Sequence, residues 1–255
     1  MRRASLGLAC LLALTACGGS GDGPARSSSS ALSGEVTVFA AASLTESFDE
    51  LGRRFQAGHP GTEVVFNFGP SSGLATQITQ GAPADVFASA SAKNMDQVVA
   101  AKAATSPVTF AENRMQIAVP PDNPAKVTGL ADLAKPGVKV ALCAPEVPCG
   151  AVARQVFERA GVSVTPVTNE PDVKATLSKV QLGEVDAGVV YVTDVKAAGV
   201  KVTGVPIPDD VNASTAYPIA TLTETENPTL ARAFVDYVLS AEGAAVLAES
   251  GFSSL

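Results

Sequence analysis

Histidine is almost missing from this chain. Of 255 residues only His59 carries an imidazole, and it lies in a Gly-His-Pro-Gly stretch that reads as a loop. A zinc site, which needs several nitrogen or sulfur ligands, is therefore disfavoured. The cleft motifs described below also lack a paired nucleophile and base and an acidic dyad, which argues against an enzyme. Positive charge is scarce: 18 Lys and Arg stand against 25 Asp and Glu, a formal net charge of −7. Nucleic acid, which selects basic patches, is excluded as a partner. Any anion must be held by local donors against an unfavourable overall field. The tyrosines Tyr191, Tyr217 and Tyr237 are dispersed, so there is no adjacent pair to hold ferric ion. Beyond the N-terminal segment no apolar run approaches the roughly 20 residues of a spanning helix.

That N-terminal segment has Arg2 and Arg3, then an apolar stretch over 4–14, the first two parts of a secretory signal. Leu14-Thr15-Ala16-Cys17 resembles the lipobox of bacterial lipoproteins, in which the chain is cut before the cysteine and the cysteine carries lipid. The alternative is a plain secretory signal that happens to contain Cys17. Residues 1–16 are thus expected to leave as a signal peptide. Residues 17–33, a lipidated Cys17 followed by mostly Gly, Ser and Ala, form a flexible tether. The protein is expected outside the cytoplasm, anchored to the outer face of the cytoplasmic membrane. With Cys10 removed and Cys17 acylated, only Cys143 and Cys149 remain in the folded part. In an oxidising compartment this pair is expected to form a disulfide; two buried free thiols are the alternative.

From Glu35 onward short apolar strands alternate with helical periodicity. Strands are expected over 36–41, 63–68 and 85–90, with helices over 44–56, 74–80 and 93–102. This βαβαβα order implies a mostly parallel sheet with helices on both faces. After a strand over 114–119 and a polar passage, a second set follows. It has strands over 138–143, 162–167, 187–192 and 202–207, helices over 151–160 and 173–182, and a short helix from Asp194. A strand over 217–223 precedes one long helical pattern over 228–247. The chain reads as an α/β protein of two lobes, 34–112 with 217–255, and 113–216, joined by two crossover strands that act as a hinge. A faint echo links them: Gly81 then Asp85, and Gly183 then Asp186, each at a helix-to-strand passage. Ordinary helix capping accounts for the glycines.

In such sheets ligands sit beyond the carboxyl ends of the strands, where helices begin. Four of these joins carry small or polar residues, at Ser43, Ser71, Cys149 and Asp172-Val173, and Tyr191 ends a fifth strand. Taken singly, each is explained as a cap or loop. Ser43-x-x-Glu46 reads as a capping box, and Asp172 as an N-cap turned to its own helix. The alternative is that the free amides and hydroxyls of these helix starts hold an anion in a cleft.

The segments FAAASL, PSSGLATQI, GAPADVFASA, APEVPCG, PDVKATL and GVVYVTD, in this order, resemble the periplasmic molybdate-binding proteins of ABC transporters. The resemblance spans residues 36–252 and implies the two-lobed type II solute-binding fold. It implies that the hydroxyls and amides of Ser43 and Ser71, the amides of Cys149 and Val173, and the hydroxyl of Tyr191 hold a tetrahedral oxyanion. Cys149 stands where better-known members have alanine; the implied contact is through the main chain. The ligand expected is molybdate, and tungstate with it, with no cofactor and no cation ligands. A membrane permease is the expected partner, and the protein itself is expected to be monomeric. A hydrogen bond to a charged group contributes about 1.5–3 kcal/mol. Five to seven such donors exceed the roughly 8–12 kcal/mol of micromolar to nanomolar binding, leaving room for closure and desolvation. Lys174 is read as solvated. A receptor for sulfate or another small anion, and a structural or adhesive surface lipoprotein, are the other readings.

Overall fold

The computed structural model describes residues 32–253. The expected signal peptide, Cys17 and nearly all of the tether lie outside them. β1 (Gly34–Ala41), β2 (Thr62–Gly69) and β3 (Val86–Ala88) pair in parallel with β1 central. α1 (Thr45–Gly58), α2 (Ser71–Thr79) and α3 (Ala92–Ala100) connect or follow them. β1 is buried on both faces, as parallel strands usually are. Val36, Val38 and Ala40 pack with Leu44, Phe48, Leu51 and Phe55, whereas Phe39 points the other way to Leu74, Ile78 and Met95. The apolar stripe at Phe48, Leu51 and Phe55 makes 45–58 an amphipathic helix. Phe48 and Phe55 meet Phe234 edge to face at 6.3 and 5.4 Å between ring centroids.

The chain then leaves this sheet through β4 (Val108–Val119). Residues 108–114 of β4 pair antiparallel with β9 (Ser214–Thr221), and residues 115–119 pair with β7 (Ala187–Tyr191) and β8 (Thr203–Val205). β7, β5 (Val140–Cys143) and β6 (Thr168–Glu170) are parallel. Around them lie α4 (Pro148–Ala160), α5 (Val173–Gln181) and α6 (Val192–Ala198). A separate apolar core forms here, with Ile117, Val140, Val156, Leu177 and Val189 at its centre. The strand order is β2-β1-β3-β9-β4-β7-β5-β6, so β4 and β9 lie between the two cores.

Three expectations about elements need correction. The segment 162–167 is not a strand; pairing begins only at Thr168, after Pro166, which has no N–H to give a ladder. The pattern over 228–247 is two helices, α7 (Pro228–Val238) and α8 (Ala241–Ser250). Ser240 breaks them by capping α8, accepting from Gly243 N at 3.2 Å. Gly243 is required there, because a Cβ would lie 2.3 Å from the Val238 carbonyl oxygen. Third, β4 begins at Val108, six residues before the expected strand. No helix among the described residues is long and apolar enough to cross a membrane.

Candidate functional site

One small cavity gathers all five residues singled out from the sequence. Ser43, Ser71, Cys149, Val173 and Tyr191 line it together with Ala42, Pro70, Ala90 and Asp172. Its volume is about 20 Å³, little more than the roughly 10–15 Å³ that one water needs on the same measure. That is room for a small occupant.

Each helix start contributes through its local geometry. Ser71 opens α2 behind Pro70, whose φ of −64° suits that position. Its Oγ accepts from Ala90 N at 3.0 Å, which leaves the hydroxyl proton free to be donated. α4 opens on Pro148, with its missing N–H at a position that needs none. The amides of Cys149 and Gly150 follow in the first turn, where no carbonyl of the same helix can take them. A disulfide joins Cys149 to Cys143 at the end of β5, and the helix start presses so close to that strand end that a Cβ on Gly150 would sit 2.0 Å from the Ala144 oxygen. Asp172 caps α5 by accepting from Ala175 N at 2.9 Å. Its carboxylate is thereby occupied by its own helix, and the amides of Val173 and Lys174 have no intrahelical partner.

Ser43 does not cap a helix. β1 runs into a 3-10 turn at Ala42–Leu44, α1 starts at Thr45, and no side chain caps it. Ser43 is thus inside a helical turn rather than ahead of one, and its Oγ lies 2.7 Å from the buried Tyr217 hydroxyl. Glu46, expected to complete a capping box, turns away to Lys174 Nζ at 2.7 and 2.8 Å. A full charge offers it more than a neutral amide does. Lys174 is correspondingly paired on two sides rather than free in solvent: Asp194 Oδ1 lies 3.1 Å from its ammonium on the other side.

Tyr191 is fixed through its main chain, donating to Asp194 Oδ2 at 3.0 Å. Its hydroxyl is fully buried and has no hydrogen-bond partner among the described residues. An unsatisfied buried hydroxyl costs about 1–3 kcal/mol, which an acceptor placed in the cavity would relieve. Burial, then the neighbouring Tyr217 and Asp194, push its pKa well up, so it stays a donor.

A family model described as bacterial extracellular solute-binding protein matches residues 36–253. The chain belongs to this family. Molybdate-binding protein ModA of Mycobacterium bovis is 44% identical over 243 residues, covering 94% of this chain and 92% of the relative. The Escherichia coli protein of the same name is 34% identical, covering 86% and 89%. Among solved structures, the periplasmic molybdate-binding protein of Azotobacter vinelandii aligns with a TM-score of 0.74 at 21% identity, covering 86% of this chain and 99% of that one. The sulfate-binding protein SubI of Mycobacterium tuberculosis aligns at 0.75 with 16% identity, covering 87% of each. Both establish the type II solute-binding fold, and because they are named for different anions the scaffold alone does not choose between them.

As a solute-binding protein of this family, the chain has to do its choosing with the cavity lining, and that lining contains no Lys or Arg. Lys174, next in sequence to the lining residue Val173, is balanced by Glu46 and Asp194. Burial lowers the Lys174 pKa less than those two carboxylates raise it, so the ammonium persists. Burial pushes Asp194 up to about 6, against the opposing pull of Lys174 and the Tyr191 amide. Among the described residues no cluster of three or more His, Cys, Asp or Glu could hold a metal ion. Sequence reasoning missed Tyr217 and Asn113, which stand behind Ser43, and the partners of Lys174. Tyr217 read only as a strand residue, and nothing local marks its contact with Ser43, 174 positions away.

Proposed function

We propose that this protein captures molybdate, and tungstate with it, in the cleft between two lobes and hands it to an ABC permease. The lobes are 34–112 with 217–255, and 113–216, their boundaries falling within β9 and β4. The observation that carries the reading is the Tyr191 hydroxyl, buried without a partner at a cavity whose remaining donors are serine hydroxyls and helix-start amides. A dianion brought into such a site exchanges water for several fixed donors. The binding set is the hydroxyls and amides of Ser43 and Ser71, the amides of Cys149 and Val173, and the Tyr191 hydroxyl. Relatives named for molybdate binding at 44% and 34% identity support the choice of anion.

In this reading the protein is an exported monomer with no enzymatic activity, tethered by lipid on Cys17. Closure of two lobes about β4 and β9 traps the ion, and permease docking releases it. Sulfate is the second reading, since the fold is shared with a sulfate-binding protein. Calorimetry of the mature domain with molybdate, tungstate, sulfate and phosphate tests both. The expected order puts molybdate and tungstate together and far ahead of the others; a preference for sulfate overturns the assignment.

A further inference from the structure

We infer that Asn113 and Tyr217 form a one-way hydrogen-bond relay that holds Ser43 as a donor toward the cavity, making Tyr217 a positioning residue for anion binding. The inference rests on the oxyanion reading of the cavity.

The direction of the relay follows from which atoms can give a proton. Asn113 Oδ1 accepts from Arg114 N at 3.0 Å, which fixes the amide so that its NH₂ end faces the other way. That end can only donate. It gives one bond to Thr193 Oγ1 at 2.8 Å and a longer one to the Tyr217 hydroxyl oxygen at 3.5 Å. Either oxygen of the 2.7 Å contact between Tyr217 and Ser43 could donate; in the relay Tyr217 accepts from Asn113 and gives its single proton to Ser43 Oγ. A phenol is also a stronger acid than an alkyl alcohol, so it is the better donor of the two. Ser43 then accepts from behind, and its own proton remains for the cavity that it lines. Asn113, Thr193, Tyr217 and Ser43 are all buried, and Tyr217 itself does not line the cavity.

The placement of the relay matters as much as its direction. Asn113 lies on β4 opposite Thr215 of β9, and two residues later Met115 already faces Tyr191 of β7. The relay therefore lies where β4 passes from one sheet partner to the next. It runs from Asn113 on β4 through Tyr217 on β9 to Ser43 in the turn after β1, with a side branch from Asn113 to Thr193 on α6. Without the Tyr217 hydroxyl, Ser43 can turn about its χ1 and present lone pairs to an anion instead of a proton.

A double-mutant cycle measures this. Tyr217→Phe keeps the ring, which packs edge to face on Phe110 and Phe252 at 6.2 and 5.2 Å, and removes only the hydroxyl. Molybdate affinity by calorimetry is expected to fall about tenfold on the wild-type background and less than twofold on a Ser43→Ala background. Asn113→Leu, similar in volume, approaches from the other end and is expected to show the same coupling at about threefold. Losses that are equal on the two backgrounds, or no loss on the wild-type background, overturn the relay. Wild-type protein that binds none of molybdate, tungstate and sulfate overturns the oxyanion reading and the relay with it; normal wild-type binding without coupling overturns the relay alone.

Discussion

Lys174, in the first turn of α5, sets its ammonium 2.7 Å from Glu46 Oε2 on α1 and 3.1 Å from Asp194 Oδ1 on α6. α1 packs into one apolar core and α5 into the other, so the Glu46 contact spans the two while the Asp194 contact stays within one. Lys174 is thus held at its base and reaches across beside the cavity. On the proposed closure of two lobes, the ends of this bridge would come together, and opening would separate them.

Glu46→Gln is therefore expected to speed ligand release. Glu46 is half exposed, and exposed pairs contribute about 0.2–1 kcal/mol, so affinity should fall by no more than about fivefold. The change should appear in the dissociation rate rather than the association rate. Stopped-flow release at rising salt is the measurement: wild-type release should quicken with ionic strength and the variant should not. Identical salt dependence would remove the bridge from the release step.

The two halves of the site differ in how they can be read. Ser71, Cys149, Val173 and Asp172 announce themselves through local chemistry, since each opens a helix behind a strand. The glycine and aspartate echo is also structural: Asp85 accepts from Thr37 N on β1 and Asp186 from Lys139 N just before β5, each at 2.7 Å. Gly81 and Gly183 hold φ values of 89° and 67° after α2 and α5. The same construction therefore recurs before β3 and before β7. Ser43 misled because a 3-10 turn can carry the same S-x-x-E spacing as a capping box without making its bonds. Tyr217, Asn113 and Thr193 were invisible because their contacts are long-range and their residue types fit ordinary strand and helix positions.

Asp194 gives the stability a pH signature. Its folded-state pKa, pushed up to about 6 by burial, lies above the usual carboxylate value of 3.8. The folded state therefore binds the proton more tightly than the unfolded state does. The stabilisation this provides is complete below the unfolded pKa and is lost as pH rises through the folded one, a window of about pH 4 to 6. Asp194→Asn, which can still accept from Tyr191 N, should lack that decline. Relative to the variant, the wild type should lose about 2–3 kcal/mol across the window in urea titrations at stepped pH. Parallel profiles would show that the carboxyl does not titrate there.

The Cys143–Cys149 bridge closes a short loop, with a sequence separation of 6. The bridge stabilises through loop closure by about 2 kcal/mol for so short a span, so its loss from a domain of this size should lower the melting temperature by about 4–8 °C. Its larger effect should be on binding, because it ties the start of α4, with the Cys149 amide, to the end of β5. Reduction under native conditions is expected to weaken molybdate affinity about tenfold while leaving the circular dichroism spectrum unchanged. Two titratable thiols in the unreduced, denatured mature protein would refute the bridge.

Ser43→Ala and Ser71→Ala test the cavity most directly. Each hydroxyl that donates to the charged ligand should contribute about 1.5–3 kcal/mol, or roughly 10- to 150-fold in affinity. The double variant should therefore show no calorimetric binding at micromolar concentrations. Each change also strands a group inside the fold, the Tyr217 hydroxyl in one case and the Ala90 amide in the other, at about 1–3 kcal/mol apiece. A melting temperature lowered by some degrees is thus expected along with lost binding, and an intact spectrum at 25 °C separates the two effects. Unchanged affinity in a folded double variant would remove both serines from the site.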